Sequence, residues 1–356
     1  MRIFRNVALA ILIMTTAIII FVCSYYNYQI GPVSDDNTLK TVVIEAGTAG
    51  DIAQKLKTEG LIKDVMMFKV YIKLTGNSNL KASTYELSPN MGVKKIVDIL
   101  VEGNNYNPDE ITIQFREGIN IRDVASLISE NTSNSEEDVY NLLNDKDYLD
   151  ELIDTYWFIT DDVKDSRIYY SLEGYLFPNT YAFTNKDVSV KEIFKKMLDE
   201  MEDELKPYKE KILASNMSVH DILTLSSIVE LEGANADDRN GVAGVFANRI
   251  RDGIALGSDV TTYYGIKVNM ADRDLTKKEL NTCNNYNTRC SSFYGLPVGP
   301  ICIPSIDSIE ATLNPTEHDY YYFVADKNNK VYFTKTYNEH LNTIATLKQE
   351  NLWYEY

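Results

Sequence analysis

The chain has 356 residues, enough for two or three domains with sizeable cores, and 44 % of them are hydrophobic, with 25 tyrosines, which excludes a disordered chain. Its 35 Lys+Arg stand against 52 Asp+Glu, a formal net charge of −17, and a phosphate backbone repels so acidic a chain, which argues against nucleic acid as a partner.

The chain opens Met1-Arg2-Ile3-Phe4-Arg5 and then runs from Val7 to Cys23 without a charge, ending in Ser24-Tyr25-Tyr26. That length just spans a bilayer, and the tyrosines suit its interface. Arg2 and Arg5 precede the span and no basic residue follows until Lys40, so the sequence predicts a single-pass anchor in the cell membrane. Residues 1–6 would form a cytoplasmic tail and 7–26 the span, with everything after about Tyr28 on the extracellular side. A cleaved signal peptide is the competing reading, and it lacks an A-x-A-like site after the apolar run. A lipoprotein reading through Cys23 is opposed by the bulky Phe21-Val22 before it.

Residues 27–40, with "GPVSDDN", read as a polar linker. Thr41 to Ile44 then alternate as a strand, Gly47 marks a turn, and Ile52, Ala53 and Leu56 share one helical face. A helix over Val65 to Leu74, another strand, a Pro89-Asn90 turn and a helix ending at Gly103 complete a small α/β module over 41–104. A related phrase recurs in "ITIQFREGINIRDVASLISENT": Asp123-Val124-Ala125…Ile128 answers Asp51-Ile52-Ala53…Leu56, each one turn after a strand and a glycine. A second small module is expected over 108–168. At "SLEGYLFPNTYAF" (171–183) the chain turns aromatic, with Gly174 and Pro178 forcing turns, and the largest domain is placed at 169–350. It continues through a charged amphipathic helix over Val188 to Glu204.

Within it, Ser218 followed by Asp221 predicts a capped helix carrying Ile222, Leu223, Leu225, Ile228 and Val229, with Gly233 as its C′ stop. Two carboxylates, Glu230 and Glu232, fall in its last turn. Two readings of Glu230 stand on these residues alone: a solvated or salt-bridged helix-end acid, or a general acid whose pKa is raised by poor solvation and the negative helix end. Glu232 points to another side and reads as a surface or structural acid. "DDRNGVAGVFANRIRDG" is a second helix; Asn248, Arg249 and the later Asp259 could be polar site groups, with surface roles the default. "GSDVTTYYG" and "NNYNTRCSSFYGLPVGPICIP" are polar, aromatic and rich in Gly and Pro, a composition that suits carbohydrate. Cys283 and Cys290 bracket a short loop where a local disulfide is possible outside the cell. The three histidines, His220, His318 and His340, are scattered and no zinc spacing, H-E-x-x-H, G-x-S-x-G or P-loop occurs, so no metal and no organic cofactor is expected.

"SLEGYLFPNTY", "SSIVELEG…DDRNGVAGVFANRI", "SDVTTYYG", "YNTRCSSFYGLPVGPICIP" and "LNPTEHDYYYFVADKNNKVYFTKTYNEH" come after the single span in this order. Together they resemble the MltG-type (YceG-like) endolytic murein transglycosylases over nearly the whole chain. The resemblance implies an α+β fold: the transmembrane helix, a LysM-like module at 41–104, then the larger α+β catalytic domain. It implies a lyase that cleaves the β-1,4 bond between N-acetylmuramic acid and N-acetylglucosamine without water and leaves 1,6-anhydro ends on peptidoglycan glycan strands. Those strands would be its substrate and peptidoglycan synthases its neighbours. The family's "I-V-E-x-E" glutamate falls on Glu230, as the lone acid and then base; its "D-x-T-x-x-Y" falls on Asp259, Thr261 and Tyr264, its "Y-N-T" on Asn287 and Thr288, and its "G-L-P" on Gly295-Leu296-Pro297. Glu173 matches "L-E-G-Y-L-F-P" as a substrate-binding or structural acid. Gly257 and Val260 depart from the Gln and Pro usual there. The rivals are a hydrolytic muramidase and an inert wall-binding scaffold.

Overall fold

The computed structural model describes residues 2–45, 47–103, 110–233, 236–290 and 292–353, and the side chains of 2–11, 236 and 237 lie outside that description. The chain divides into two compact units, Met1–Glu110 and Ile111–Tyr356.

In the first unit α1 (Arg2–Ile30) precedes β1 (Lys40–Ile44), α2 (Ala49–Thr58), α3 (Val65–Thr75), β2 (Ser83–Leu87) and α4 (Gly92–Glu102). Leu12–Ile30 is apolar and long enough to cross a membrane, and its outer side chains, such as Phe21 at 70 %, are exposed. β1 and β2 pair antiparallel with Val42 opposite Tyr85, and alternation sends Val42, Ile44, Tyr85 and Leu87 into one core with Ile52, Leu56, Phe68, Ile96 and Leu100. The stretch expected as a linker is instead tied down. α1 continues through Ile30, Tyr26 and Ile30 pack on this core, and the Val33 N–H donates to the Pro89 carbonyl at 2.8 Å. Lys63 Nζ donates to the Tyr28 carbonyl at 3.0 Å and lies 3.9 Å above its ring. Gly92 is required here twice over: its φ is +70°, and a Cβ would sit 3.2 Å from the Ile30 carbonyl oxygen.

The second unit contains β3 (Ile111–Phe115), α5 (Ile121–Asn131), α6 (Glu136–Leu143), α7 (Lys146–Thr155), β4 (Asn179–Phe183), α8 (Val190–Leu205), α9 (Lys209–Leu213), α10 (Val219–Glu232), α11 (Ala236–Arg251), α12 (Asp259–Gly265), α13 (Lys277–Leu280), α14 (Ile306–Leu313), β5 (Tyr322–Ala325), β6 (Val331–Thr334) and α15 (Tyr337–Gln349). β3 finds its antiparallel partner in β4, beyond residue 168, so the second α/β phrase shares a core with β4 and α8: Ile113, Phe115, Val124, Ile128, Tyr181, Ile193 and Phe194 pack together. The two phrases have the same local build. Asp51 and Asp123 each close a capping box at the third helical position. Val42–Tyr85 and Ile113–Tyr181 are matching strand pairs, and each tyrosine hydroxyl donates to the carbonyl four residues earlier. A second cluster in this unit gathers Leu225, Ile228, Val229, Val242, Phe246, Tyr264 and Tyr286 around α10, α11 and α12, against the short antiparallel pair β5–β6.

Candidate active site

α10 is buried over its whole middle, Ile222 to Val229. A helix enclosed on all sides must satisfy its own hydroxyls. Thr224, Ser226 and Ser227 do so by donating at 2.7 Å to the carbonyls of His220, Ile222 and Thr224. The capping box expected at Ser218 and Asp221 forms at its start. Its last turn emerges against the N-terminus of α14, which Ser305 caps by accepting from the Ser308 N–H.

Glu230 sits at that junction with its side chain 6 % exposed. Oε2 accepts from the Ser305 N–H at 2.9 Å, the Ser305 hydroxyl at 2.5 Å and the Ser308 hydroxyl at 2.7 Å. Oε1 accepts from Arg239 NH2 of α11 at 3.0 Å, and Arg239 NH1 lies 3.6 Å from Asp307 in the first turn of α14. Sequence reasoning saw only the negative end of Glu230's own helix and its poor solvation. The fold adds donors to the carboxylate: the N-terminal end of a second helix, two hydroxyls and a guanidinium.

Gly233 ends α10 as expected, with φ −75° rather than a left-handed conformation. Its lack of a side chain is needed for space, because a Cβ would lie 2.7 Å from Arg239 Cγ and 2.9 Å from the Val229 carbonyl oxygen. The arginine stem passes over this glycine on its way to Glu230.

Glu232 is half-buried and tied to a neighbouring segment. Its Oε1 accepts from the Ser258 hydroxyl at 2.6 Å, and burial pushes its carboxyl above the ordinary range, with Asp259 adding to the rise and Arg289 and Arg249 opposing it. Glu117, from the β3–α5 loop, is a carboxylate that sequence reasoning passed over. Partial burial pushes its carboxyl up, the charge of Glu230 adds to this, and Arg239 opposes it.

The other expected site residues separate into two kinds. Asp259 is exposed at the start of α12 and pairs with Arg289 at 2.7 Å. Thr261, Tyr264, Asn287 and Thr288 are buried in the frame behind it. Thr261 and Thr288 share a hydroxyl contact at 2.9 Å. Asn287 accepts from Thr262 at 2.7 Å and its amide donates to the carbonyls of Leu280 and Thr282, inside a loop closed by the Cys283–Cys290 disulfide. Glu173 is 2 % exposed; both its oxygens accept from the Ile121 N–H at the start of α5, and Oε2 also accepts from the Tyr264 hydroxyl at 2.8 Å. Burial raises its carboxyl to about 8. These five side chains join elements and offer no open face to a sugar. Gly295 turns with φ +84°, and Leu296 and Pro297 line a polar cavity with Asp162, Asp165, Arg167 and His220. Asn248 and Arg249 tie α11 to the chain entering β5, donating to the carbonyls of His318 and Tyr321.

The sequence profile of the YceG-like family matches residues 42–346, which takes in both units. The chain belongs to the YceG-like family. A Bacillus subtilis (strain 168) relative named endolytic murein transglycosylase is 34 % identical over 311 residues, covering 86 % of this chain and 84 % of the relative. A Streptococcus pneumoniae (strain D39) protein of the same name is 30 % identical over 343 residues, 90 % of this chain and 62 % of that longer relative. The crystal structure of a yceG-like protein from Listeria monocytogenes aligns with TM-score 0.61 and 34 % identity over 86 % of this chain and 99 % of its own.

In this YceG-like chain the groups around Glu230 that sequence reasoning missed are Arg239, Ser305, Ser308 and Glu117. Arg239 alone carried a local signal, an arginine nine residues after the glutamate beyond a glycine break. The two serines lie some 75 residues away in sequence, and only the packing of α14 on α10 places them.

Proposed function

We propose that this protein is an endolytic murein transglycosylase, a lyase acting on peptidoglycan, in which Glu230 is the single acid and base. The observation that carries the assignment is the placement of Glu230. It is an enclosed carboxylate at the meeting of two helix ends, with a guanidinium on one oxygen and three donors on the other. The name of the relatives supplies the substrate class.

In the reaction so read, protonated Glu230 gives its proton to the glycosidic oxygen as the bond from the muramic anomeric carbon breaks. The muramic 6-hydroxyl attacks that carbon and returns its proton to Glu230. The product carries a 1,6-anhydro ring, no water is consumed, and one carboxylate serves both steps because the substrate brings its own nucleophile. A hydrolytic glycosidase uses a pair of carboxyl groups instead. Ser305, Ser308 and Arg239 fix the carboxylate and stabilise the anion it becomes midway. Asp259, exposed beside the Ser258–Glu232 contact, is the expected substrate-binding residue whose position leaves it open to glycan.

The N-terminal helix is read as the membrane anchor, N-terminus inside, with both units outside where oxidation permits the Cys283–Cys290 bond. The first unit is read as a LysM-like wall-binding module, and the enzyme as trimming or ending glycan strands near the peptidoglycan synthases. The test is mass spectrometry of sacculi digested by wild type and by Glu230→Gln. Anhydro-ended fragments from wild type and none from the variant are expected; reducing ends that have gained water, or undiminished cleavage by the variant, overturn the reading.

A further inference from the structure

The first unit begins where the apolar helix ends, with no spacer between them. Leu12–Ile30 is 19 residues long, which as a helix measures about 28 Å, close to the thickness of a bilayer's hydrocarbon core. The last turns of that same helix belong to the core of the unit. Tyr26 and Ile30 pack on it, and the Val33 N–H just beyond donates to the Pro89 carbonyl. Beside them Lys63 Nζ donates to the Tyr28 carbonyl at 3.0 Å and lies 3.9 Å above the tyrosine ring. Tyrosine and lysine are side chains that settle at a membrane–water interface, apolar body inward and polar tip in water. A bilayer spanned by α1 would therefore meet the first unit directly, at the level of Tyr28 and Lys63.

α3 starts two residues after Lys63, and its outward side is unlike those of its neighbours. The exposed side chains of α2 and α4 are polar, such as Gln54, Lys57, Lys94 and Lys95. α3 sends Phe68, Tyr71 and Ile72 into the core, and on its opposite side, at helical spacing, it carries Met66, Val70 and Leu74 with Lys69 and Lys73 along one edge. Met66 is 68 % exposed and Leu74 72 %, as bare as Phe21 in the apolar helix. An apolar stripe edged by lysines is the pattern of a helix that lies in the plane of a membrane interface. The charge agrees. α3 has no acid within it, and Asp64 is engaged as its cap, accepting from the Met67 N–H at 2.8 Å. Over residues 31–104 lysines equal acids in number, in a chain whose net charge is −17, so an anionic surface does not repel this unit.

We propose that the outer face of α3 is a membrane-docking surface: Met66, Val70 and Leu74 enter the boundary between headgroups and acyl chains of the bilayer that α1 spans, and Lys69 and Lys73 pair with anionic headgroups. The inference rests on the reading of α1 as the membrane anchor. Two copies of the chain meeting through this stripe would bring their lysines together with no acid of α3 among them. A bilayer with anionic headgroups covers the stripe and neutralises its edge at once. α1 already holds the unit against that surface, so the second contact is intramolecular and a small face is enough. Held by α1 and α3 together, the first unit keeps one orientation on the membrane and does not turn about the axis of α1.

The experiment uses the full chain in vesicles of equal parts phosphatidylglycerol and phosphatidylcholine, with brominated acyl chains as a contact quencher of tryptophan. Both native tryptophans, Trp157 and Trp353, belong to the second unit, so wild type supplies the background for Met66→Trp and Leu74→Trp. Each added tryptophan is expected to emit at short wavelength and to be quenched well beyond that background. A lysine near an anionic surface strengthens binding about fivefold, so Lys69→Gln with Lys73→Gln in the Met66→Trp chain should lower the ratio of docked to undocked unit about 25-fold and with it the quenching. Phosphatidylcholine alone should produce the same loss with the lysines in place. Added tryptophans quenched no more than wild type overturn the proposal. A short-wavelength emission without bromine quenching also overturns it, because protein, either a second copy or the second unit, then covers the stripe. Quenching indifferent to both the lysines and phosphatidylglycerol overturns it as well. A chain that does not float with the vesicles overturns the anchor reading itself, a failure distinct from a floating chain whose added tryptophans stay in water.

Discussion

Replacing Glu173 by glutamine is expected to remove the share of the pH dependence of stability that this buried carboxyl contributes to the unit from Ile111 onward. Glu173 is 2 % exposed and its carboxyl stands at about 8 against an ordinary 4.5, with burial the largest cause. Below the ordinary value the carboxyl is protonated in both folded and unfolded chains, and the full stability is present. Between there and about 8 the unfolded chain ionises while the folded one holds its proton, so stability falls as pH rises by about 1.4 kcal/mol per unit. The raised carboxyl thus costs the fold about 5 kcal/mol above pH 8 relative to acid conditions. Glutamine keeps an oxygen to accept from the Ile121 N–H and the Tyr264 hydroxyl without this titration. Both tryptophans, Trp157 and Trp353, lie in this unit, so fluorescence during urea unfolding reports on it alone. Wild type should lose about 4 kcal/mol more than Glu173→Gln between about pH 5 and pH 8. Parallel pH dependences of the two proteins would refute the reasoning, and so would a wild type that gains stability over that range relative to the variant.

Ser305→Ala removes both the cap of α14 and a hydroxyl donor to Glu230, so a loss of about 1 kcal/mol in urea unfolding should accompany a larger fall in cleavage rate. Gly233→Ala should destabilise by about 1–3 kcal/mol and slow cleavage by displacing Arg239, since the new methyl would meet the arginine stem at 2.7 Å; a neutral substitution in both assays would show that the stem passes elsewhere.

Much of the architecture was legible before the fold was known, because its signals are local. The Ser218–Asp221 capping box, the strand alternation of Val42 and Ile44, and the Asp51 and Asp123 phrases all act within one turn of helix or one strand. Pairings across long separations were not legible. The partner of β3 lies in β4, past the boundary expected between modules, and the polar stretch after the span is clasped to its own unit by Pro89. Residue type was also misleading at the site. Asn, Thr and Tyr in Gly/Pro-rich loops suited sugar hydroxyls, yet Thr261, Tyr264, Asn287 and Thr288 spend their polar atoms on one another, on Glu173 and on buried backbone. A hydroxyl reads the same in sequence whether it faces a ligand or a neighbouring chain segment.

By itself, the sequence determined the apolar N-terminal segment, the helices and their caps, the family, and Glu230 as the carboxylate to watch. Each depends on residues near one another in the chain, where spacing alone sets which side chains share a face. Only the tertiary structure decided what surrounds that carboxylate. Ser305 and Ser308, some 75 residues downstream, Glu117 on a loop more than 100 residues upstream, and the passage of Arg239 over Gly233 are brought together by packing of buried helices. The charge state of an acid depends on those distances, and no local pattern contains them.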